Sequence, residues 1–188
     1  MKDSPMTDNA LVRSCLEGNM ESYQTLVDRY RGQAMALALN TLANYQDAQD
    51  ACQEAFLKAF RNLDRFDLER NFKNWFYALL SHVCLDQARK RNRFRQFISR
   101  VRSDPGAAAS AVALPAPNPG PHSHPAMWLL SRLRPKERAA IYLWSQEGYT
   151  GAEIAAVLGC TPKTAHVHLF RARARLRAML KEERDETR

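Results

Sequence analysis

The segment from Thr150 to Arg171 constrains the fold of this chain more than any other feature of its sequence. Thr150 and Glu153 have the spacing of a capping box, in which a hydroxyl and a carboxylate bind free backbone amides at the start of a helix. The apolar residues after them repeat at helical spacing: Ile154, Val157 and Leu158. Gly159 then indicates the end of the helix, because glycine adopts a positive φ without strain. The pattern predicts a short helix followed by a tight turn.

A second helix is predicted directly after this turn. Thr161 supplies a second N-cap, and Pro162 suits the first helical position, where its missing N–H is not needed. Residues 163–181 contain six lysines or arginines and no acidic residue. Two helices around a tight turn form a helix-turn-helix, and a basic second helix is typical of contact with nucleic-acid phosphate. The first hypothesis is DNA binding, and a helical hairpin with a solvated basic face is the alternative.

The charge and the apolar runs of the chain favour a cytoplasmic protein with an acidic partner. The 188 residues carry a formal charge of +8 with a pI near 9.6, which favours nucleic acid as that partner. No apolar run approaches the roughly 18 residues that span a bilayer, and residues 1–5 lack the apolar stretch of a secretory signal. We therefore expect a cytoplasmic protein.

The sequence supplies no set of residues for catalysis or for a metal site. The cysteines are scattered without a Cys-x-x-Cys pair, in apolar helical patterns that suit small buried thiols: Cys15, Cys52, Cys84 and Cys160. His122 and His124 lie among prolines, where a linker is the simpler interpretation. No phosphate-binding glycine loop or nucleophile–base pair is evident. We therefore expect no catalytic residue, no metal and no cofactor, in a protein that is not an enzyme.

A change of composition divides the chain into two parts. Residues 103–125 contain six prolines, and Asp104 is their only charged residue. The predicted organisation is a domain over residues 8–101, a flexible linker over 102–125 and a second domain over 126–182. Neither domain shows strand-like alternation, so we expect an all-α fold of two small helical domains.

Four helices are predicted in the N-terminal domain, over residues 9–17, 21–42, 46–63 and from Phe72 onwards. The third helix has an apolar stripe that should be buried: Ala48, Ala51, Cys52, Ala55, Phe56, Ala59, Phe60 and Leu63. Its opposite face is polar: Asp47, Asp50, Gln53 and Glu54. The fourth helix ends in the basic run 89–95.

Two further helices are predicted before the helix-turn-helix, the second of them beginning at Pro135. The expected core of this domain consists of Trp128, Leu133, Ile141, Trp144, Ile154, Val157, Leu158, Leu169 and Leu176. Basic helices on two tethered domains indicate one protein that reads two DNA segments, because tethering raises the effective concentration of the second module.

Several motifs in one order resemble bacterial sigma factors of the extracytoplasmic-function group, which carry only regions two and four of the larger sigma proteins. The motifs are DAQDACQEAF at 47–56, FRNLDRF at 60–66, FKNW at 72–75, DQARKR at 86–91 and the helix-turn-helix with FRAR at 170–173. The resemblance covers nearly all of the chain. It implies an alternative sigma factor that binds core RNA polymerase, directs it to specific promoters and assists promoter melting. An anti-sigma factor is implied as a further partner.

The resemblance also implies roles for residues of the N-terminal domain. The polar face of the third helix would bind core polymerase through Asp47, Asp50, Gln53 and Glu54. The loop 64–71 and the fourth helix would bind the promoter's minus-ten element through Phe66, Phe72, Trp75, His82, Arg89, Lys90, Arg91 and Arg93. For Trp75, a place in the core is an equal alternative. His82 departs from the family, in which asparagine is common at this position.

In the C-terminal domain the second helix of the motif would read the minus-thirty-five element. The implied DNA-binding residues are Thr161, Lys163, Thr164, His166, Val167, His168, Phe170 and Arg171. His166 and His168 depart from the family pattern, and imidazoles in place of permanent charges weaken the attraction to phosphate at neutral pH. Two rival functions remain: a stand-alone helix-turn-helix regulator that binds DNA without polymerase, and a helical adaptor with incidental basic ends.

Overall fold

The computed structural model of the chain describes residues 6–102 and 126–186, and every regular element in these two stretches is helical. The helices are α1 Asp8–Leu16, α2 Met20–Leu42, α3 Tyr45–Arg61, α4 Phe72–Arg102, α5 Ala126–Ser131, α6 Pro135–Ser145, α7 Gly151–Leu158 and α8 Pro162–Glu186, with a 3₁₀ turn at Leu63–Arg65. The predicted all-α fold is therefore confirmed. The predicted linker begins at Arg102, which instead ends α4, and the rest of it, with His122 and His124, lies outside the described residues.

The local signals that open and close the helix-turn-helix have the predicted geometry. The Thr150 hydroxyl accepts a hydrogen bond from the Glu153 amide at 3.3 Å, and the Glu153 carboxylate accepts one from the Thr150 amide at 2.8 Å. Gly159 ends α7 in the left-handed conformation, with φ +59°. The Thr161 hydroxyl then accepts a hydrogen bond from the Thr164 amide at 3.2 Å and caps α8. Side-chain oxygens thus satisfy amides that a helix leaves free.

The N-terminal helices pack around a stripe of small residues on α3. Ala48, Ala51, Ala55 and Ala59 are fully buried, which lets α3 approach α2 and α4 closely. An aromatic layer fills the remaining space, with the rings of Phe56 and Phe76 stacked at 4.6 Å between centroids. The prediction of the buried stripe is confirmed for these alanines and for Leu63.

The same prediction is wrong for Phe60, whose side chain is 41% exposed. Phe60 lies at the edge of the stripe, where its ring packs against that of Tyr23 with the centroids 5.0 Å apart. The Tyr23 hydroxyl donates a hydrogen bond to the Phe56 carbonyl at 2.5 Å and holds this pair on the surface.

The predicted core of the C-terminal domain is wrong for both tryptophans. Trp128 and Trp144 are 52% and 46% exposed, and each lies under an arginine, with Arg132 4.3 Å and Arg173 5.1 Å from the ring centroids. Leu143, fully buried, takes the inward position on α6 that the prediction gave to Trp144. One residue further along a helix turns the side chain by about 100°, which carries Trp144 out of the core.

The two helical units pack on each other. α6 lies against the C-terminal end of α2, and α7 lies along α4. The buried apolar residues of the two units accordingly form one continuous cluster. Sequence patterns gave no indication of this packing, because they report which face of a helix is apolar and not which helix covers it.

The left-handed Gly159 provides a test of the turn. We expect Gly159→Ala to lower the free energy of unfolding by about 1–2 kcal/mol, because an L-residue is strained at this φ. An added Cβ would also lie 2.7 Å from Nε2 of His82 on α4. Urea unfolding followed by circular dichroism measures the change.

Gly32→Ala is the matched control, since Gly32 lies inside α2 with no atom within 4 Å of an added Cβ. We expect this variant to be as stable as the wild type or more stable by up to about 1 kcal/mol, because alanine favours a helix interior. Equal effects of the two substitutions would contradict the assigned role of Gly159.

Candidate functional site

Three of the four residues of the polar face of α3 are exposed. Asp50, Gln53 and Glu54 lie together on this face, and Glu54 forms an ion pair with Lys58 at 2.6 Å. Leu57 extends the face with a side chain that is 49% exposed. On a chain of charge +8, a surface of carboxylates and amides around one leucine suits the arginines of a protein partner better than DNA.

Leu57 is a residue that the sequence prediction missed. Its position three residues after Glu54 and four after Gln53 places it on the polar side of the helix, and that spacing was the available signal. An exposed leucine next to polar side chains offers an apolar surface beside them.

Asp47 differs from the other three residues predicted to bind polymerase. Its carboxylate forms an ion pair with Arg91 of α4, and another guanidinium nitrogen of Arg91 donates to the Leu42 carbonyl at 3.2 Å. Asp47 thus binds α3 to α4 and to the end of α2. The structure brings together one residue from the predicted polymerase site and one from the predicted minus-ten site.

The aromatic residues predicted to contact DNA form a stack with only Trp75 at its surface. Phe66 and Phe72 are buried, 6% and 3% exposed, and their ring centroids lie 5.1 and 5.6 Å from that of Trp75. Phe66 and Phe72 pack against the side of the Trp75 ring that faces the core, and Trp75 itself is half-buried. Both interpretations of Trp75 therefore hold in part: one side packs on the core and the other faces a cavity.

That cavity has a volume of about 350 Å³ and lies at the start of α4. Five of its lining residues belong to the N-terminal unit: Arg70, Asn71, Asn74, Trp75 and Ala78. The sixth is Ala156 of α7. An aromatic wall beside amides and an arginine is suited to a planar, hydrogen-bonding group such as a base.

The second half of α4 carries the predicted basic residues. Arg89 forms an ion pair with Asp86 at 2.6 Å, whereas Lys90 and Arg93 are exposed. Phe94 and Phe97, which the sequence prediction missed, are 49% and 60% exposed beside them. Cations interleaved with aromatic rings are typical of surfaces that bind nucleic acid.

Most predicted DNA-binding residues of α8 share its outer face. Lys163, His166, Val167 and Phe170 follow the i, i+3, i+4, i+7 spacing of one face, and Phe170 is 74% exposed. Arg171 is exposed at the edge of that face. A helix with this outer face presents a cation, two ring systems and a branched apolar side chain to the solvent.

Three predicted residues have other surroundings. Thr161 and Thr164 cap the helix, with their hydroxyl oxygens 2.9 Å apart. His168 is half-buried, within the electrostatic reach of charged groups at the start of α6. Burial lowers the pKa of His168, and the neighbouring Lys136 lowers it further. Both effects favour the neutral imidazole of His168, which lies off the outer face of α8.

A groove of about 720 Å³ lies beside this face, between α8, α6 and the start of α7. Of its lining residues, the sequence prediction named His166 and Phe170 as DNA contacts and missed the others, among them Trp144, Arg173 and Arg177. His166 also lines the groove, and its Nε2 would lie 2.5 Å from a Cβ on Gly151, so the absence of a side chain at Gly151 makes room for the imidazole.

Two of the four cysteines, Cys15 and Cys84, are buried as predicted, whereas Cys52 and Cys160 are half-buried. Burial raises the pKa of Cys52 to about 12, and it raises the pKa of Cys15, Cys84 and Cys160 as well. Within residues 6–102 and 126–186, no group of three or more metal-binding side chains is assembled. No helix in the same stretches is long and apolar enough to span a bilayer.

Comparison with family sequence profiles identifies two regions. Residues 26–94 match the profile described as Sigma-70 region 2, and residues 127–176 match that described as Sigma-70, region 4. The chain is 31% identical over 183 residues to RNA polymerase sigma factor NccH of Alcaligenes xylosoxydans xylosoxydans, covering 94% of this chain and 96% of the relative. It is 25% identical over 178 residues to the ECF RNA polymerase sigma factor SigW of Bacillus subtilis, covering 91% and 95%.

Two solved structures have a similar fold over most of the chain. One is CnrH in complex with the cytosolic domain of CnrY, with a TM-score of 0.63, 28% identity and coverage of 93% of this chain and 97% of that chain. The other is the sigma factor RpoE in complex with the anti-sigma factor NepR from Bartonella quintana, with a TM-score of 0.64, 26% identity and coverage of 86% and 98%.

The surroundings of His168 predict a pH dependence of stability. Because the pKa of His168 is lower in the folded than in the unfolded chain, the unfolded chain binds more protons below about pH 6.5. We expect the free energy of unfolding to fall as the pH drops from 7 to 5, and to fall less in His168→Gln. Urea unfolding at several pH values measures both slopes.

Proposed function

The chain belongs to the extracytoplasmic-function group of the sigma-70 family, and we propose that its two helical units divide the recognition of polymerase and promoter between them. It is an alternative sigma factor, a regulatory protein that directs RNA polymerase to particular promoters. We propose units over residues 8–101 and 126–182, with no covalent chemistry in either. Polymerase, which acts in the cytoplasm, supplies the catalysis.

The exposed face of α3 is the proposed contact with core RNA polymerase. Asp50, Gln53 and Glu54 offer acceptors to cationic side chains, and Leu57 adds an apolar contact one helical turn further along the same face. Asp47 serves this face indirectly in our proposal, because its ion pair with Arg91 fixes α3 against α4.

The start of α4 is the proposed site for the minus-ten element. Trp75 offers one side of its ring to the cavity, where a base flipped out of the duplex can stack, and Asn71 and Asn74 offer amide groups to the base edge. Flipping costs a few kcal/mol of stacking, which the aromatic wall and the nearby cations offset. Phe66 and Phe72 act as the support of Trp75. Lys90 and Arg93 are the proposed contacts with the DNA backbone.

The outer face of α8 is the proposed reader of the minus-thirty-five element. A helix enters the major groove with one face toward the base edges, and Lys163, His166, Val167 and Phe170 share such a face. Arg171 lies at the edge of this face, and its guanidinium is the proposed contact with a phosphate group or a guanine base. Thr161 and Thr164 hold the N-terminus of the helix at that groove.

An anti-sigma factor is a proposed further partner. The similar solved structures are of CnrH with the cytosolic domain of CnrY and of RpoE with the anti-sigma factor NepR. The exposed apolar side chains at Leu57, Phe94 and Phe170 offer surfaces for such a protein on both units.

One observation carries the proposal: polar α3 and basic α8 expose two chemically different surfaces on one chain. The test is run-off transcription of genomic DNA by core RNA polymerase with and without the purified chain. New, discrete start sites in its presence are the expected result. No new start sites, together with tight binding of specific DNA by the chain alone, would favour a stand-alone regulator instead.

Asp50→Arg tests the polymerase contact. We expect the reversed charge to weaken binding to core RNA polymerase by tenfold or more, about 1.4 kcal/mol, because it places a cation against the partner's cations. Fluorescence anisotropy of the labelled chain titrated with core polymerase measures the affinity. Asp28→Arg is the matched control, since Asp28 is exposed on α2. Equal affinities of the two variants would remove Asp50 from the interface.

Arg171→Ala tests the upstream contact. We expect the affinity of the polymerase complex for a dependent promoter to fall by about 1–3 kcal/mol if Arg171 binds a base, and the salt slope to fall by about 1 if it binds a phosphate. Arg13→Ala, at an exposed position on α1, is the control and should change neither quantity. Unchanged affinity and salt slope in Arg171→Ala would exclude both contacts.

A further inference from the structure

The C-terminal end of α4 extends out of the helical core. Earlier in the helix, Phe76 and Tyr77 are fully buried, whereas none of residues 91–100 is buried. The part of α4 after Arg91, residues 92–102, adds roughly 16 Å of helix at 1.5 Å per residue. This part of the helix therefore offers its side chains to a partner and not to the core.

The start of α4 is different, because its side chains are held by other elements. Lys73 forms an ion pair at 2.6 Å with Glu147, in the turn after α6, and the Tyr77 hydroxyl donates to the same carboxylate at 3.1 Å. The Glu147 side chain is only 8% exposed. The two ends of one helix thus have different surroundings, and only the C-terminal end has a free surface on most of its sides.

The family profiles stop short of this extension. The match to Sigma-70 region 2 ends at residue 94, and the match to region 4 begins at residue 127. The last turns of α4 are therefore a feature of this chain that neither profile describes. Their role depends on the side chains that they carry.

One face of the extension combines cations with aromatic rings. Its residues, which we call the basic–aromatic face, are Lys90, Arg93, Phe94, Phe97 and Arg100. They follow the i, i+3, i+4, i+7, i+10 spacing of one side of an α-helix, and all five are exposed. Phe94 and Phe97 are 49% and 60% exposed. Because burial of apolar surface is favourable, a partner that covers both rings gains affinity.

The chain itself does not neutralise the cations of this face. Two neighbouring arginines of α4 are already paired with carboxylates: Arg89 with Asp86, and Arg91 with Asp47. Among the residues that the structure describes, the three cations of the basic–aromatic face form no such ion pair. The sequence also has no acidic residue between Asp86 and Asp104. These three charges are therefore available to an acidic partner.

The mixture of cations and rings on one side favours nucleic acid as that partner. A helix that lies on a membrane separates its apolar face from its cationic face, whereas Arg93 and Phe97, one turn apart, share a side. DNA phosphates attract the cations. Phenylalanine rings contact thymine methyl groups in the major groove or insert between base steps from the minor groove. Both kinds of side chain on this face thus have a partner group on DNA.

The position of the face along α4 indicates which part of a promoter it meets. Phe97 follows Trp75 by 22 residues, which is roughly 33 Å along a helix. That length corresponds to about ten base pairs of duplex at 3.4 Å per base pair. A base bound beside Trp75 therefore leaves Phe97 within about ten base pairs of that base. The chain after α4 leads to the unit proposed for the upstream element, so the nearest DNA on that side is the duplex between the two elements.

We propose that the basic–aromatic face of α4 binds the duplex DNA between the minus-ten and minus-thirty-five elements. Its three cations contact phosphate groups, and Phe94 and Phe97 pack against the groove. This inference rests on the proposed assignment of the minus-ten element to the start of α4. It gives the proposed backbone contacts of Lys90 and Arg93 a location, and it adds one arginine and two rings to them. The charged part of the contact is independent of base sequence, because phosphates carry no sequence information.

Salt dependence tests the charged part of the contact. The probe is a fluorescein-labelled duplex of mixed sequence, about 30 base pairs or roughly 100 Å long, titrated with the full chain at several salt concentrations. Each cation bound to a phosphate contributes about 0.9 to the slope of log affinity against log salt. We expect Arg93→Gln/Arg100→Gln to lower this slope by about 2. The control Arg13→Gln, at an exposed position on α1, should leave it unchanged. An unchanged slope in the double variant would overturn the proposal.

The rings are tested separately, because they carry no charge. Phe94→Ala/Phe97→Ala should weaken binding of the same duplex by roughly tenfold without changing the salt slope. Met20→Ala is the matched control, since the Met20 side chain is 53% exposed on α2. Helical circular dichroism should be the same in all these variants, because every substituted side chain is exposed. Wild-type affinity in the double phenylalanine variant would overturn the proposal.

Photo-crosslinking in the complete initiation complex locates the contact. The photoreactive residue p-azidophenylalanine replaces Phe97, and the complex contains core RNA polymerase, this chain and a promoter found by run-off transcription. We expect crosslinks to duplex DNA between the two elements, within about ten base pairs of the minus-ten element. The control carries the same photoreactive residue in place of Asn92, which is exposed about 140° around the helix from Phe97 and should give no DNA crosslink.

The outcomes of this experiment separate the inference from the proposed function. Crosslinks from position 97 to a polymerase subunit would overturn the inference in favour of a protein partner. Crosslinks only to melted strands would overturn the assignment to the duplex. Both results leave the sigma function intact, because the crosslinked complex already initiates transcription. Failure of the proposed function has a different signature, which is the absence of new start sites with the wild-type chain.

Discussion

The free carbonyls at the C-terminal end of α2 are the constraint on which the rest of the structure depends. Arg91 of α4 binds the Leu42 carbonyl and Arg138 of α6 binds the Thr41 carbonyl, so two arginines from different units meet at one helix end. Arg91 also pairs with Asp47, which ties α3 to the same point. Ala43 ends α2 there in the left-handed conformation, with φ 53°, which leaves these carbonyls open to side chains.

This arrangement gives the functional surfaces different accessibility. The α3 face and the outer face of α8 are exposed, whereas the Trp75 cavity has α7 as one wall. The face proposed to bind polymerase is thus free, and the cavity proposed for the minus-ten element lies beside the C-terminal unit. A ligand shifts a conformational equilibrium only if it binds one state more tightly than the other. Polymerase bound to α3 therefore stabilises the arrangement of the two helical units that also fits the rest of the enzyme.

Local signals made the helices and the helix-turn-helix predictable from the sequence. Thr150, Glu153 and Gly159 act within a few residues of themselves, so their spacing alone determines the caps and the turn. Contacts between helices that are far apart in the sequence have no comparable pattern of residue spacing. Nothing in the sequence distinguishes Arg138 from a solvated arginine, and Glu147 lies in a turn where a carboxylate is ordinary.

In the candidate site, too, some features follow from local spacing in the sequence and others from tertiary packing. The family resemblance assigned Lys163, Val167 and Phe170 to DNA binding, and in the structure they share one exposed face of α8. The burial of Phe66 and Phe72 was not predictable, because aromatic residues near a loop suit a core and a DNA surface equally well. Tertiary packing decides which of them reaches the solvent.

The most direct test of this account is the distance between the two units in the free chain and in the complex with core RNA polymerase. Fluorescent labels at Gln33 on α2 and Ala178 on α8, both exposed, report that distance by energy transfer. The account predicts a short distance in the free chain and a much longer one in the polymerase complex on promoter DNA. The same short distance in both states would contradict it.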